Sequence, residues 1–284
     1  MKRMKCAKKD FTEADLPLTR QQMFFDCYRE QFSLILRLGL VCLLILFPML
    51  VVLFTRDMYL VGAIKGLGEE TSEKLREIYA SANVVFGAFE LLASVLFFVL
   101  FSGVAQILRQ LCWGEPVFFS DDFKRGVREN AGRFAVIGFF LSLIRYLLGL
   151  LSGSTYYYLL FGIFAALFLP LGFWVLLQTL YYRLRWAQVI KNATFYLVRT
   201  FPMTVLLLVC TVAPFFLVST FVTMLTVRYL LLVVLAVLYV VPLTMAWILY
   251  ALQTFDENIN KQHHPEVYRR GLRPIASDEK NENG

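Results

Sequence analysis

The chain has 284 residues, of which 58% are hydrophobic and only 17% charged, with a net charge of +7. A soluble domain is about half apolar with about a quarter of its residues charged. The mean hydropathy of +0.62 therefore excludes an ordinary water-soluble globule and points to helices packed in lipid, each satisfying its own backbone. The basic balance reads as charge flanking membrane spans. Nucleic-acid binding would need a basic soluble module, and no segment has that composition.

In chain order, residues 1–31 form a polar tail with seven Lys and Arg, too long for the charged region of a signal peptide and without a small-residue cleavage site. Its second half mixes aromatics with charges and is expected to lie as a helix in the headgroup layer. Six apolar runs follow, at about 33–54, 83–108, 134–151, 159–180, 203–227 and 230–252. Each is about as long as a helix needs to cross ~30 Å of hydrocarbon. The polar stretch 55–80 between the first two runs reads as a short acidic amphipathic helix, and Arg228 with Tyr229 as the tight turn between the last two. Residues 254–284 form a charged tail whose end has a disordered composition. The expected organisation is thus an all-α integral membrane protein. It has a tail over 1–31, a six-helix transmembrane domain over 32–253 with amphipathic interfacial helices in its cytoplasmic loops, and a tail over 254–284.

Orientation follows from the loops. With the N-terminus inside, the inner segments hold 21 Lys and Arg and the outer ones 5, with Arg37 and Arg145 inside spans. The positive-inside rule then puts both termini in the cytoplasm.

A long polar segment wedged between apolar runs, 114–134, reads GEPVFFSDDFKRGVRENAGRF. Gly114 and Pro116 break the preceding helix. Ser120 suits an N-cap, and Asp121 and Asp122 suit a first helical turn. Phe123, Val127 and Ala131 recur every four residues as one face, with Lys124, Arg125, Arg128 and Arg133 on the remainder. Such a helix would lie on the inner leaflet and then turn into the third span. Asp122, Phe123, Lys124, Arg125, Arg128 and Asn130, with Asn192 of the next inner loop, are the candidates for contact with lipid or with a partner. The two inner loops also resemble each other weakly, with Gln106, Trp113, Val127 and Asn130 in one against Gln178, Trp186, Val189 and Asn192 in the other. That similarity would be a parallel repeat of two hairpins, or chance likeness of two amphipathic loops.

Chemistry-bearing residues inside the spans are few. Glu90 and Arg145 each lie about eight residues from the outer ends of adjacent spans, roughly 12 Å below the surface at 1.5 Å per residue. A charged group there costs ~3 kcal/mol unless it finds a partner, so the two are expected to meet as an ion pair that fixes helix register, or as a solute or proton site, the alternative being that Arg145 alone snorkels to the outer headgroups. Pro48, Pro170, Pro214 and Pro242 fall in four spans, where they kink helices or mark a substrate site. Gly149 and Gly153 form a G-x-x-x-G near an outer end, which suggests a packing seam. The five cysteines show no metal spacing. No nucleophile elbow, phosphate loop, dinucleotide fingerprint or zinc-protease motif occurs, so no enzyme activity, cofactor or metal is expected.

The GEPVFF-DDF segment with its basic, Asn-bearing helix, together with the later RWAQVIKNATFYLVRTFP, resembles the YesL-type bacterial integral membrane proteins over roughly residues 20–255. The resemblance implies a multi-pass protein of a bacterial cytoplasmic membrane, of a kind often encoded near sugar importers, and supplies no catalytic residues. The expected function is a non-enzymatic accessory or assembly component. It would contact membrane lipids and another membrane complex, such as an ABC-type carbohydrate importer, through the basic inner loops. The alternative is a small-solute transporter using Glu90 and Arg145.

Overall fold

The computed structural model describes residues 16–66, 72–151, 154 and 156–273. Cys6, the first five Lys and Arg, Gly153 and the end of the C-terminal tail lie outside these residues. The regular structure of the described residues is all helical, with no strand. The helices are α1 (Arg20–Glu30), α2 (Phe32–Gly66), α3 (Ser72–Cys112), α4 (Phe119–Leu150), α5 (Tyr157–Ile163), α6 (Leu169–Tyr181), α7 (Trp186–Arg199), α8 (Phe201–Phe221), α9 (Leu225–Leu238) and α10 (Val240–Phe255). A π-helical turn, Phe164–Phe168, joins α5 to α6, and a second, Asp256–Asn260, follows α10. Five helices are long and apolar enough to cross a membrane, and the bent pair α9–α10 makes a sixth when taken as one span. The fold is an all-α multi-pass membrane protein.

Two expected boundaries move. The stretch 55–80 is not a separate helix: α2 runs through 35 residues and α3 through 41. At 1.5 Å per residue both far exceed ~30 Å. The polar sequence forms the end turns of two long helices: it holds no proline, and α2 runs through Gly62 to Gly66. The turn expected at Arg228 and Tyr229 lies earlier, at residues 222–224, and both residues belong to α9. Arg228 Nε donates to the Val222 carbonyl at 2.9 Å, filling an acceptor left free at the end of α8.

The prolines act differently from one another. Pro48 and Pro214 sit inside unbroken helices. Pro170 and Pro242 lie in the first turns of α6 and α10, just past the two breaks. A proline clashes with the carbonyl four residues back and offers it no N–H. The π turn before Pro170 and the 43° bend before Pro242 fall where that clash would be.

The segment 114–134 is the largest departure. Gly114 adopts φ +69°, a left-handed turn that favours glycine. From Phe119 to Leu150 the chain is then one helix, with no turn between loop and span, and Ser120 is inside it rather than capping it. The face buried is Asp122, Gly126, Asn130, Phe134, Ile137, Gly138 and Ser142, offset by one residue from the apolar face read in the sequence. The cause is close packing on α3: a Cβ on Gly126 would stand 2.4 Å from Gln106 Cβ, and one on Gly138 would stand 2.5 Å from the Phe98 ring. Small residues let the two backbones approach, as they do between membrane helices generally. Gly149 makes no such approach, since a Cβ there would meet nothing within 4 Å. Discrete amphipathic helices do occur at α1 and α7.

Both ends of the described chain meet at one end of the bundle. Arg20 on α1 donates to Asp256 at 2.7 Å, with both side chains nearly fully buried. Asn260 and the Arg269 backbone N–H also donate to Asp256, at 2.8 and 3.3 Å. Gly271, at φ +82°, brings the C-terminal segment against Gly114, and Arg270 pairs with Glu115 at 2.6 Å. The large aromatics Trp174, Tyr196 and Phe255 fill the core above this clasp.

Candidate functional site

At the opposite end of the bundle, α3 and α4 run antiparallel and bring Glu90 and Arg145 together. Glu90 is 5% exposed. One of its carboxylate oxygens accepts from Arg145 Nη2. The other accepts from Arg56 Nη1 at 3.2 Å. Arg56 comes from α2, and its second terminal nitrogen donates to Asn83 Oδ1 at 2.8 Å. Asn83 in turn donates to the Gly149 carbonyl near the end of α4 at 3.1 Å. Three helices therefore converge on one carboxylate.

Sequence reading missed Arg56 by placing it in an extramembrane loop. The usable signal was the absence of Gly or Pro between Phe54 and Tyr59, which lets α2 continue and carry Arg56 inward. Asp57, its neighbour, points away to α9, where Arg228 Nη1 and the Tyr229 hydroxyl donate to it at 2.9 and 3.2 Å. Successive helical residues diverge by ~100°, so α2 clamps two neighbours with two consecutive side chains.

The carboxylate and both guanidinium groups line a cavity of about 130 Å³, along with Ser94, Ser142 and Tyr157. Two arginines face one glutamate, so the cavity walls carry a surplus positive charge. Arg56 Nε is buried without a hydrogen-bond partner. In a low-dielectric site a spare donor and a spare charge both favour an anionic occupant. Tyr157 and Phe161, on the α5 side of the cavity, directly precede the π turn of Phe164–Phe168.

The residues expected to face lipid or a partner divide. Asp122 is 3% exposed and works inside the fold. It accepts from the Phe118 backbone N–H at 2.6 Å, from Gln110 at 3.2 Å and from Arg125 at 2.7 Å, closing the start of α4. Asn130 is buried and Phe123 half-buried, the latter against Gly103. Arg125 and Asn192 are half-buried, and only Lys124 and Arg128 of the seven are exposed. The buried members face α3 because α4 is packed along its length instead of resting on a leaflet.

Gln106 and Gln178, the paired positions of the weak repeat, are both almost fully buried. Gln178 donates to the Val189 carbonyl of α7 at 3.2 Å, whereas neither carboxamide atom of Gln106 has a protein partner. Each follows its helix into a hairpin, but α4 is unbroken where α7 and α8 part at Thr200.

Among the described residues no cluster of three or more His, Cys, Asp or Glu could hold a metal ion. Cys27, Cys42, Cys112 and Cys210 are free thiols. Cys27 on α1 has its pKa raised to about 11 by burial and by the neighbouring Asp26 and Glu30. No protein-family model, curated protein or solved structure matches this chain.

Proposed function

We propose that the protein is a non-enzymatic carrier for a small solute bearing a carboxylate or similar oxyanion, held at the Arg56–Glu90–Arg145 cavity. The observation that supports this is the second arginine on Glu90: the site is a cavity with one cation more than its internal pairing needs. A purely register-fixing ion pair requires one arginine and no cavity. The solute would take the donors that Glu90 leaves free. The irregular α5–α6 span beside the cavity and the bend before α10 supply helix breaks of the kind transporters use near their sites. The test is stabilisation of the purified protein by a panel of small carboxylates, followed by uptake into proteoliposomes. Stabilisation that disappears in Arg56→Gln supports the reading, and a panel with no stabilising member removes it.

The proposed setting is a bacterial cytoplasmic membrane with both termini inside. Arg56 and Arg228 are bonded within the bundle. Of the outward Lys and Arg counted in the sequence, only Lys65, Lys74 and Arg76 then remain as loop charge, which sharpens the asymmetry that the positive-inside rule uses.

A second reading, an accessory component of a carbohydrate importer, draws on the YesL-like segments and on Lys124 and Arg128, which stay exposed beside the termini. Burial of Asp122 and Asn130 leaves that surface smaller than the sequence suggests. Stoichiometric recovery of a permease with the tagged protein from native membranes would favour it.

A further inference from the structure

A second, apolar cavity of about 270 Å³ lies between α2, α3, α4, α6, α8 and α10. Its walls include Leu46, Phe101, Ala105, Phe173, Leu243 and Trp247. The polar groups nearest it are already used: Trp247 Nε1 donates to the Thr211 hydroxyl at 2.9 Å, Thr211 donates to the Leu207 carbonyl, and Thr244 donates to the Val240 carbonyl. Water needs two to four polar partners in a cavity, and dry cavities of ~150 Å³ accept benzene. This chamber is larger and offers water almost nothing. One wall, α8, buries only Thr204 and Leu208 of its 21 residues within the bundle.

Next to it, toward the clasped termini, lies a third cavity of about 330 Å³. Leu180 lines the apolar chamber and Tyr181 lines this one; Ile248 and Leu252, one turn apart on α10, divide the same way. Its chemistry is the reverse. Trp113 Nε1 and the Tyr181 hydroxyl are buried in its wall with no hydrogen-bond partner. Arg183 lines it, paired outward with Glu129, and the Arg109 and Arg270 guanidinium groups lie 4.9 and 4.7 Å from the Trp113 ring centre. Arg270 is itself paired with Glu115, so among the described residues Arg109 is the one of these cations without a carboxylate partner; two unsatisfied donors beside it suit a phosphate.

We propose that the two cavities together bind one phospholipid inside the bundle, an acyl chain in the chamber beside Trp247 and the phosphate at Trp113 and Tyr181. The order matches a lipid whose headgroup lies at the end of the bundle that carries the termini. This site is separate from Glu90 and stands whether or not a solute is carried there.

The test uses the full chain in bilayers of phosphatidylglycerol brominated in its acyl chains. Trp247 is 2% exposed and Trp186 is 40% exposed. The emission lost in Trp247→Phe isolates the buried ring. We expect that component to be quenched as strongly as that of exposed Trp186, and the quenching to vanish when the chamber is filled by Ala105→Phe or, should that variant not fold, by Leu46→Phe. An unquenched Trp247, or quenching unchanged by the filling variants, overturns the chain site. For the headgroup, lipid phosphorus per protein after detergent exchange should be about one for the wild type. It should fall several-fold in Tyr181→Phe combined with Trp113→Phe. Retention unchanged by that pair overturns the phosphate assignment, as does equal displacement by inorganic phosphate with no loss of chain quenching.

Discussion

Glu90 accepts from two arginines drawn from two other helices, and this determines how each substitution will behave. Removing the carboxylate leaves two cations facing each other, whereas removing one arginine leaves a pair intact. Glu90→Ala should therefore cost more than Arg56→Ala or Arg145→Ala. The Glu90/Arg145 double-mutant cycle should show a coupling of ~1–3 kcal/mol, read from unfolding in detergent; strict additivity would sink the pairing. Gly114 and Gly271 sit at positive φ and touch each other. Alanine at 114 would place its Cβ in ordinary contact, 4.0 Å from Gly271 Cα, but on a strained backbone, at a cost of ~1 kcal/mol. Alanine at 271 would also put its Cβ 2.8 Å from Met23 and 3.1 Å from the Trp113 backbone, so it should cost more in the same measurement. Cys27 tests burial on α1. Its thiol stays protonated until about pH 11 instead of its usual 9.0. At pH 8 its alkylation should run about a hundredfold slower than that of a free cysteine, and it should accelerate as pH rises toward 11. Any stability tied to this thiol is fully present below pH 9 and is lost as pH rises from 9 to 11.

Among the elements, α3 and α4 form the axis of the molecule. Their seam is built from glycine and serine together with a line of buried polar groups: Glu90, Ser94, Ser102, Gln106 and Gln110 on α3, and Asp122, Asn130 and Ser142 on α4. A bulky residue at Gly126 would have to displace Gln106, and Gly126→Leu should destabilise the protein by at least ~2 kcal/mol. At Gly132, on the open side of the same helix, a Cβ meets nothing within 4 Å. Gly132→Leu should be nearly neutral in the same assay, and equal effects at the two sites would mean that the seam is wrongly assigned. The bend between α9 and α10 is ascribed to Pro242. Pro242→Ala should restore a bond from residue 242 to the carbonyl of 238 and straighten the span, lengthening a spin-label distance between its two ends.

At the scale of the whole molecule, α1 and the C-terminal segment close over one end, held by Arg20–Asp256 and by the Gly114–Gly271 contact. The Glu90 cavity lies toward the other end, so clasp and cavity are separated by most of the bundle. The proposed orientation, with both termini inside, makes a direct prediction. A cysteine at Lys124 or Arg128 should be labelled by a membrane-impermeant maleimide only after the cells are opened, and one at Lys65 in intact cells. The reverse pattern would invert the topology.

By itself the sequence determined the class of molecule and the number of apolar runs, because hydropathy over some twenty residues is a local property that lipid enforces without reference to neighbours. It also marked Glu90 and Arg145, since an isolated charge within a span must find a partner. It could not decide where α2 ends or that α4 runs unbroken from its polar start. Helix continuation there depends on what lies alongside, and Ser120 carries the same capping chemistry whether or not a helix end falls on it. Which face of 114–134 turns inward was likewise settled by packing, because Gly126 against Gln106 favours contact with α3 over contact with a leaflet. The third member of the polar site and the two apolar and aromatic cavities are tertiary facts. Arg56 lies 34 positions from Glu90, and no periodicity within one helix records which others will surround it.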